Sequence, residues 1–79
     1  MKVELHLYAS LSKYLPPDAT FKTWHMEIEK NATINDIIAQ MKIDKKSVKL
    51  IFLNGVHADS SRILKDGDRV GMFPPVGGG

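Results

Sequence analysis

At the start of the chain Val3, Leu5, Leu7 and Ala9 alternate with Glu4, His6 and Tyr8. Successive side chains of a strand point to opposite faces, so this period of two predicts a first strand with the apolar set buried and His6 and Tyr8 outward. "SLSKYLPP" reads as a short turn or a single helical turn, stopped by Pro16 and Pro17, whose rings fix φ and remove amide donors. Alternation resumes in "TFKTWHMEIE", 20–29. It predicts a second strand with Phe21, Trp24 or His25, Met26 and Ile28 as its apolar set, joined to the first in a loose hairpin.

The period then lengthens. Ile34, Ile37, Ile38 and Met41 recur at helical spacing behind Thr33, and Asp36 stands three residues after that threonine. This predicts an amphipathic helix over 34–42 with Thr33 as N-cap and Asp36 as the short arm of a capping box. "SVKLIFLNG", 47–55, is apolar and ends in Asn54-Gly55, a pair suited to the positive φ angles of a type I′ hairpin turn. A third strand should therefore turn back into a short fourth near Val56 and His57. Leu64 anchors a polar excursion, and Asp66-Gly67-Asp68 marks a tight turn. It leads into "RVGMF", a fifth strand with Val70 and Met72 inward and Arg69, Gly71 and Phe73 outward.

The resulting order, ββαββ, points to an α+β domain in which one main helix covers one face of a mixed four- to five-stranded sheet. The first and last strands are too far apart in sequence for a short turn, so they are expected side by side and parallel in the middle of the sheet. Tyr8 and Phe73 would then meet on the uncovered face, with His6 beside them. Residues 1–73 form the domain in this reading. Residues 74–79, Pro-Pro-Val-Gly-Gly-Gly, form an extended, flexible C-terminal tail.

Composition narrows the chemistry. Seventy-nine residues allow one thin core, and the absence of cysteine excludes disulfides, thiolate metal sites and a Cys nucleophile. "MKVELHLYAS" carries Glu4 and His6 inside its apolar run, and no stretch approaches the length of a membrane span, so a cytoplasmic protein without a membrane partner is expected. Eleven Lys and Arg are interleaved with nine acids for a net charge of +2, and the one basic cluster, Lys42, Lys45, Lys46 and Lys49, is broken by Asp44. No nucleic-acid partner is expected from that pattern. His6, His25 and His57 lack ligand spacing, the serines lack a nucleophile elbow, and no glycine-rich loop opens a helix. The expectation is accordingly a protein that is no enzyme and binds no metal or cofactor itself.

Two features remain. Tyr8, Phe73, Pro74, Pro75 and Val76 would make a contiguous apolar patch, the mark of a partner surface, with Lys2, Glu4 and Arg69 as its polar rim. Behind it, Pro74 and Pro75 hold the chain extended, and Gly77, Gly78 and Gly79 make an arm thin enough for a narrow channel.

"LKDGDRVGMFPPVGGG", 64–79, together with "FLNG", 52–55, and the ββαββ order, resembles the MoaD/ThiS sulfur-carrier proteins across the whole chain. The resemblance implies a ubiquitin-like β-grasp fold. It also implies a C-terminal glycine, here Gly79, that an E1-like enzyme adenylates at the expense of ATP and that becomes a thiocarboxylate. Gly77 and Gly78 match the slender approach, and Phe73 and Tyr8 match the family's docking aromatics. The implied acceptor is the large subunit of molybdopterin synthase or another sulfur-acceptor enzyme. Phe-Pro-Pro leans toward the molybdopterin branch, whereas Gly77 and the short "KIDKKS" connection lean toward the thiazole branch of thiamine biosynthesis. A ubiquitin-like modifier that forms isopeptide conjugates is the further alternative.

Overall fold

In the computed structural model, which describes residues 1–19 and 23–75, the predicted alternation becomes a five-stranded mixed sheet in the order β2-β1-β5-β3-β4. The strands are β1 (Lys2–Leu7), β2 (Thr23–Glu27), β3 (Leu50–Leu53), β4 (Val56–His57) and β5 (Arg69–Phe73), and one α-helix, α1 (Ile34–Gln40), lies between β2 and β3 in sequence. The centre of the sheet is the parallel pair β1–β5, in which Leu5 stands opposite Val70 and Leu7 opposite Met72. β2 and β3 flank that pair, both antiparallel to their neighbours. This is the β-grasp arrangement that the resemblance implies.

One face of the sheet is sealed. Val3, Leu5, Leu7, Met26, Ile51, Leu53, Val70 and Met72 point to the same side and form one cluster with Ile34, Ile37 and Ile38 of α1. Leu64 is buried among them, and its amide donates to the Ala32 carbonyl at 2.8 Å, so the polar excursion is pinned where its single apolar anchor predicts. Trp24 packs against the core while His25 is exposed, which settles the apolar side of β2. Phe21 lies outside the described residues.

α1 begins as its sequence dictates. The Asp36 amide donates to Thr33 Oγ1 at 3.3 Å, and the Thr33 amide donates back to Asp36 Oδ2 at 2.8 Å. Two donors that the helix cannot satisfy internally are thus satisfied reciprocally. Thr33→Ala is expected to cost about 0.5–2 kcal/mol, seen as a lower urea midpoint at unchanged m-value. An unmoved midpoint would show that the box does not hold the helix start.

Three boundaries differ from expectation, each for a local reason. The helix stops at Gln40 instead of 42 because Lys42 takes φ +58°, letting its amide reach Ala39 and the Ile43 amide reach Ile38, the two bonds of a Schellman end. Ala9 is exposed with φ +50° and opens a 3₁₀ helix, Ala9–Tyr14; that turn swings Leu11 into the core in its place. β3 starts at Leu50 and not 47, because the Asp44 carboxylate accepts from the Lys46 amide at 3.0 Å and caps a second 3₁₀ turn, Lys45–Ser47. β2 is described from Thr23 to Glu27, within the predicted 20–29. The hairpin turn forms as predicted, with Asn54 at φ +53° and Gly55 at +82°.

Candidate functional site

The open face of the sheet carries the site. Register places Thr23, His6, Gly71, Phe52 and His57 in one row across all five strands. The glycine in the middle of that row has no side chain to cover its strand, so the edge of the Tyr8 ring comes in over the sheet between His6 and Phe52. Around Gly71 the rings form an arc. His6 and Tyr8 stack with centroids 6.2 Å apart, Tyr8 and Phe73 stack at 4.3 Å, and Phe73 meets Phe52 edge-on at 5.7 Å. Phe52 meets His57 edge-on at 5.8 Å, completing the arc. Arg69 and Gly55 close the remaining side of a depression of about 370 Å³. A Cβ on Gly71 would stand 3.4 Å from Tyr8 Cε2, so alanine fits there, whereas a longer side chain would project into the space.

The fold aims these rings. Phe73 ends β5, Tyr8 directly follows β1, and the Tyr8 amide donates to the Met72 carbonyl at 3.2 Å, extending the central parallel pairing by one bond. Both rings are half-buried on the face that α1 leaves uncovered, as the alternation predicts. Pro74 and Pro75 follow, also half-buried. Val76, Gly77, Gly78 and Gly79 lie outside the described residues.

Beside the arc is a small polar network. His6 Nε2 bonds one oxygen of the Glu4 carboxylate, His25 Nε2 lies 3.3 Å from the other, and Thr23 Oγ1 lies 3.1 Å from His6 Nδ1. The hydrogen bond from His6 holds the Glu4 carboxyl below the usual carboxylate range, against the opposing effect of desolvation and with smaller help from the nearby His25. The network fixes the His6 ring at one end of the aromatic arc. Among the described residues no group of three His, Asp, Glu or Cys side chains could hold a metal ion.

Of the residues read as the patch, the structure brings Tyr8 and Phe73 together, with His6 stacked on Tyr8. The rim needs correction. Arg69 borders the depression, but Glu4 is turned into the histidine network, and Lys2 stands at the far end of β1, about 20 Å from Tyr8 at ~3.3 Å per residue. Phe52 and His57 belong to the site and were not among the expected residues. A signal for Phe52 existed: Ile51 and Leu53 are both buried, so strict alternation turns Phe52 outward. The unbroken apolar run Leu50–Leu53 hides that period.

With this geometry in view, comparison with known proteins adds the following. A family model described as Mut7-C ubiquitin matches residues 1–77. No curated protein matches the chain by sequence. Among solved structures, a Pyrococcus furiosus protein assigned as molybdopterin converting factor, subunit 1, is similar at 28% identity and a TM-score of 0.72, over 95% of this chain and 98% of that one. The small archaeal modifier protein 1 of H. volcanii is 20% identical with a TM-score of 0.73, again over 95% and 98%. A complex of subunits 1 and 2 of the Helicobacter pylori molybdopterin-converting factor supplies a chain 24% identical, covered fully on both sides, with a TM-score of 0.61. At these last two identities the likeness is one of fold.

Proposed function

Because the chain belongs to the Mut7-C ubiquitin family, a ubiquitin-like fold that also serves small carrier and synthase subunits, we propose that it is a sulfur carrier acting as a substrate and subunit, not as a catalyst. The observation that carries this reading is the continuity of the open face with the tail. The middle ring of the aromatic arc, Phe73 between Tyr8 and Phe52, belongs to the residue that precedes Pro74-Pro75-Val76 and the three glycines. A partner that grips the arc therefore holds the chain at the point where the tail begins.

The chemistry assigned to the tail is carboxylate activation at Gly79. A carboxylate resists nucleophiles until one oxygen becomes part of a leaving group. An E1-like partner uses ATP for this step. The Gly79 carboxylate attacks the α-phosphorus, pyrophosphate leaves, and an acyl adenylate forms. A sulfide-level donor then makes the C–S bond, the C–O bond to AMP breaks, and a thiocarboxylate remains. Gly77 and Gly78 give the arm its slenderness, since a Cβ at either position would widen what must pass along the partner's channel.

The receiving partner in this reading is the large subunit of a molybdopterin synthase, and the setting is the cytoplasm. The similarity to the P. furiosus subunit 1 protein supports that branch over the thiazole branch. Incubation with the host's activating enzyme, ATP and a sulfur donor tests it: intact-mass measurement should show one oxygen-to-sulfur exchange at Gly79. An unmodified carboxylate with every activating enzyme of the host would refute the carrier reading. Isopeptide ladders that vanish on deletion of Gly78 and Gly79 would identify a modifier instead.

Phe73→Ala separates docking from folding. The ring lies between Tyr8 and Phe52 on the open face. Loss of a central aromatic anchor is expected to weaken the complex with the large subunit by at least about 2 kcal/mol, roughly thirtyfold in Kd by calorimetry. Stability in the same variant should fall by no more than the roughly 0.5–1.5 kcal/mol typical of each ring pair, plus a small burial contribution. Global unfolding would place Phe73 in the core and overturn the assignment of faces.

A further inference from the structure

The strand directions sort the charges of this chain into two ends. Because β1 and β5 are parallel and β2 and β3 run against them, Tyr8, Phe73 and the start of β3 share one end of the sheet. Lys2, the end of β2 and the turn at Asp66–Asp68 share the other. At the first end the Lys49 amide donates to the Phe73 carbonyl at 2.8 Å, one residue before Pro74, and Lys45 and Lys46 precede it in the 3₁₀ turn. Glu27, Glu29, Asp66 and Asp68 belong to the second end.

The lysine cluster at the first end is unpaired among the described residues. Lys42, Lys45, Lys46 and Lys49 are all exposed, and among the described residues none lies within ion-pair distance of a carboxylate. The one acid in their midst, Asp44, spends its carboxylate on the Lys46 amide. These four lysines and Asp44 account for the chain's positive balance, since its seven other cations are set against eight other acids. The cluster also adjoins the aromatic arc, because Leu50, next to Lys49, is the register partner of Phe73.

We propose that the lysines at the Phe73 end of the sheet, Lys45, Lys46 and Lys49, dock on an acidic rim around the channel that receives the tail, on the same protein that grips the aromatic arc. This rests on the tail-insertion reading and goes beyond it by giving the partner a charge. An apolar patch with a lysine margin on one side fits an apolar recess with a carboxylate margin. Charges at such a margin are solvated, so they act mainly on the rate of encounter and on orientation, and salt screens them. Here they would turn the tail end toward the channel before the rings make contact. The cluster has no arginine and no interleaved aromatic residue, which favours a protein partner over a nucleic acid.

The test compares two double charge reversals that change net charge equally. Lys45→Glu/Lys49→Glu alters the basic end, whereas Lys30→Glu/Lys65→Glu alters exposed lysines of the opposite end, with circular dichroism melts confirming that both variants fold. Association with the purified large subunit of the same organism's molybdopterin-converting factor is followed by stopped-flow at about 10 and 150 mM salt, between which the Debye length shrinks from about 30 to 8 Å. The wild-type rate should fall about tenfold or more with salt; the first variant should be about tenfold slower at low salt and nearly salt-independent, and the second within about twofold of wild type. Equal effects of the two pairs, or a salt-independent wild-type rate, would overturn the proposal while leaving tail insertion intact. Absence of any complex would overturn both, and equal or tighter binding of a single-stranded oligothymidylate would assign the cluster to nucleic acid and overturn the proposal.

Discussion

Deletion of Gly78 and Gly79 is expected to abolish sulfur loading completely, with no measurable change in unfolding midpoint. The two halves of that expectation have separate causes. The sheet is complete at Phe73, and the core that seals it draws on residues from Val3 to Met72. In the proposed carrier reading, loading would depend on the carboxylate of Gly79 reaching the activating enzyme's reacting groups. Removing two residues draws that carboxylate back by about 7 Å at ~3.3–3.6 Å per extended residue, and leaves Gly77 as its bearer. Acyl transfer tolerates little misplacement, since a shift of about 1 Å in a reacting group can cost two orders of magnitude. The measurement is the intact mass after incubation with activating enzyme, ATP and sulfur donor, beside a urea titration. Loading of the shortened chain at more than about a hundredth of the wild-type rate would show that the arm's length does not matter, on the same scale of cost.

The second large effect lies in the core. Leu5 is fully buried in the central strand, between Trp24 of β2 and Val70 of β5. Leu5→Ala removes its apolar side chain from a fully enclosed point of the sheet and leaves a cavity that flanking strands cannot close without moving their pairing. A loss of about 2–5 kcal/mol is expected. A chain of this length has roughly 4–12 kcal/mol in total at 0.05–0.15 kcal/mol per residue, so the variant should be poorly folded at best. Chemical unfolding reads this directly as a collapse of the midpoint. A loss below about 1 kcal/mol would mean that the core repacks around the gap, and that β1 is less central than its burial indicates.

The two faces of this sheet differed in how openly the sequence announces them. Faces of β1, β5 and the helix are written in the period of their apolar residues, and Thr33 and Asp36 have side chains whose chemistry fits only a helix start. The parallel pairing of β1 with β5 follows from exclusion, because no short turn can join them. The depression at Gly71 could not be read in the same way. It arises where five strands bring His6, Gly71 and Phe52 into one row, and register between distant strands is set by the packing of the whole core. Lys42 is a plainer case. Nothing about lysine marks a left-handed backbone, and the helix end is fixed instead by Ile43 turning into the core. Phe52 stood in plain view, but an apolar run is read as buried on both sides unless its neighbours are weighed one by one.

The parallel pair at the centre of the sheet also sets an order of events at synthesis. β1 is made first of the five strands and β5 last, and the innermost pairing joins Glu4 to Arg69 across nearly the whole length of the domain. Until residues 69–73 have left the ribosome, β1 has β2 on one side and nothing on the other, and Val70 and Met72 are missing from the core. Closure of so long a loop is slow compared with local helix and hairpin formation. The tail comes off the ribosome directly behind the strand that completes the fold. On the proposed carrier reading, a nascent chain would therefore offer no arm to an activating enzyme before its docking face can assemble.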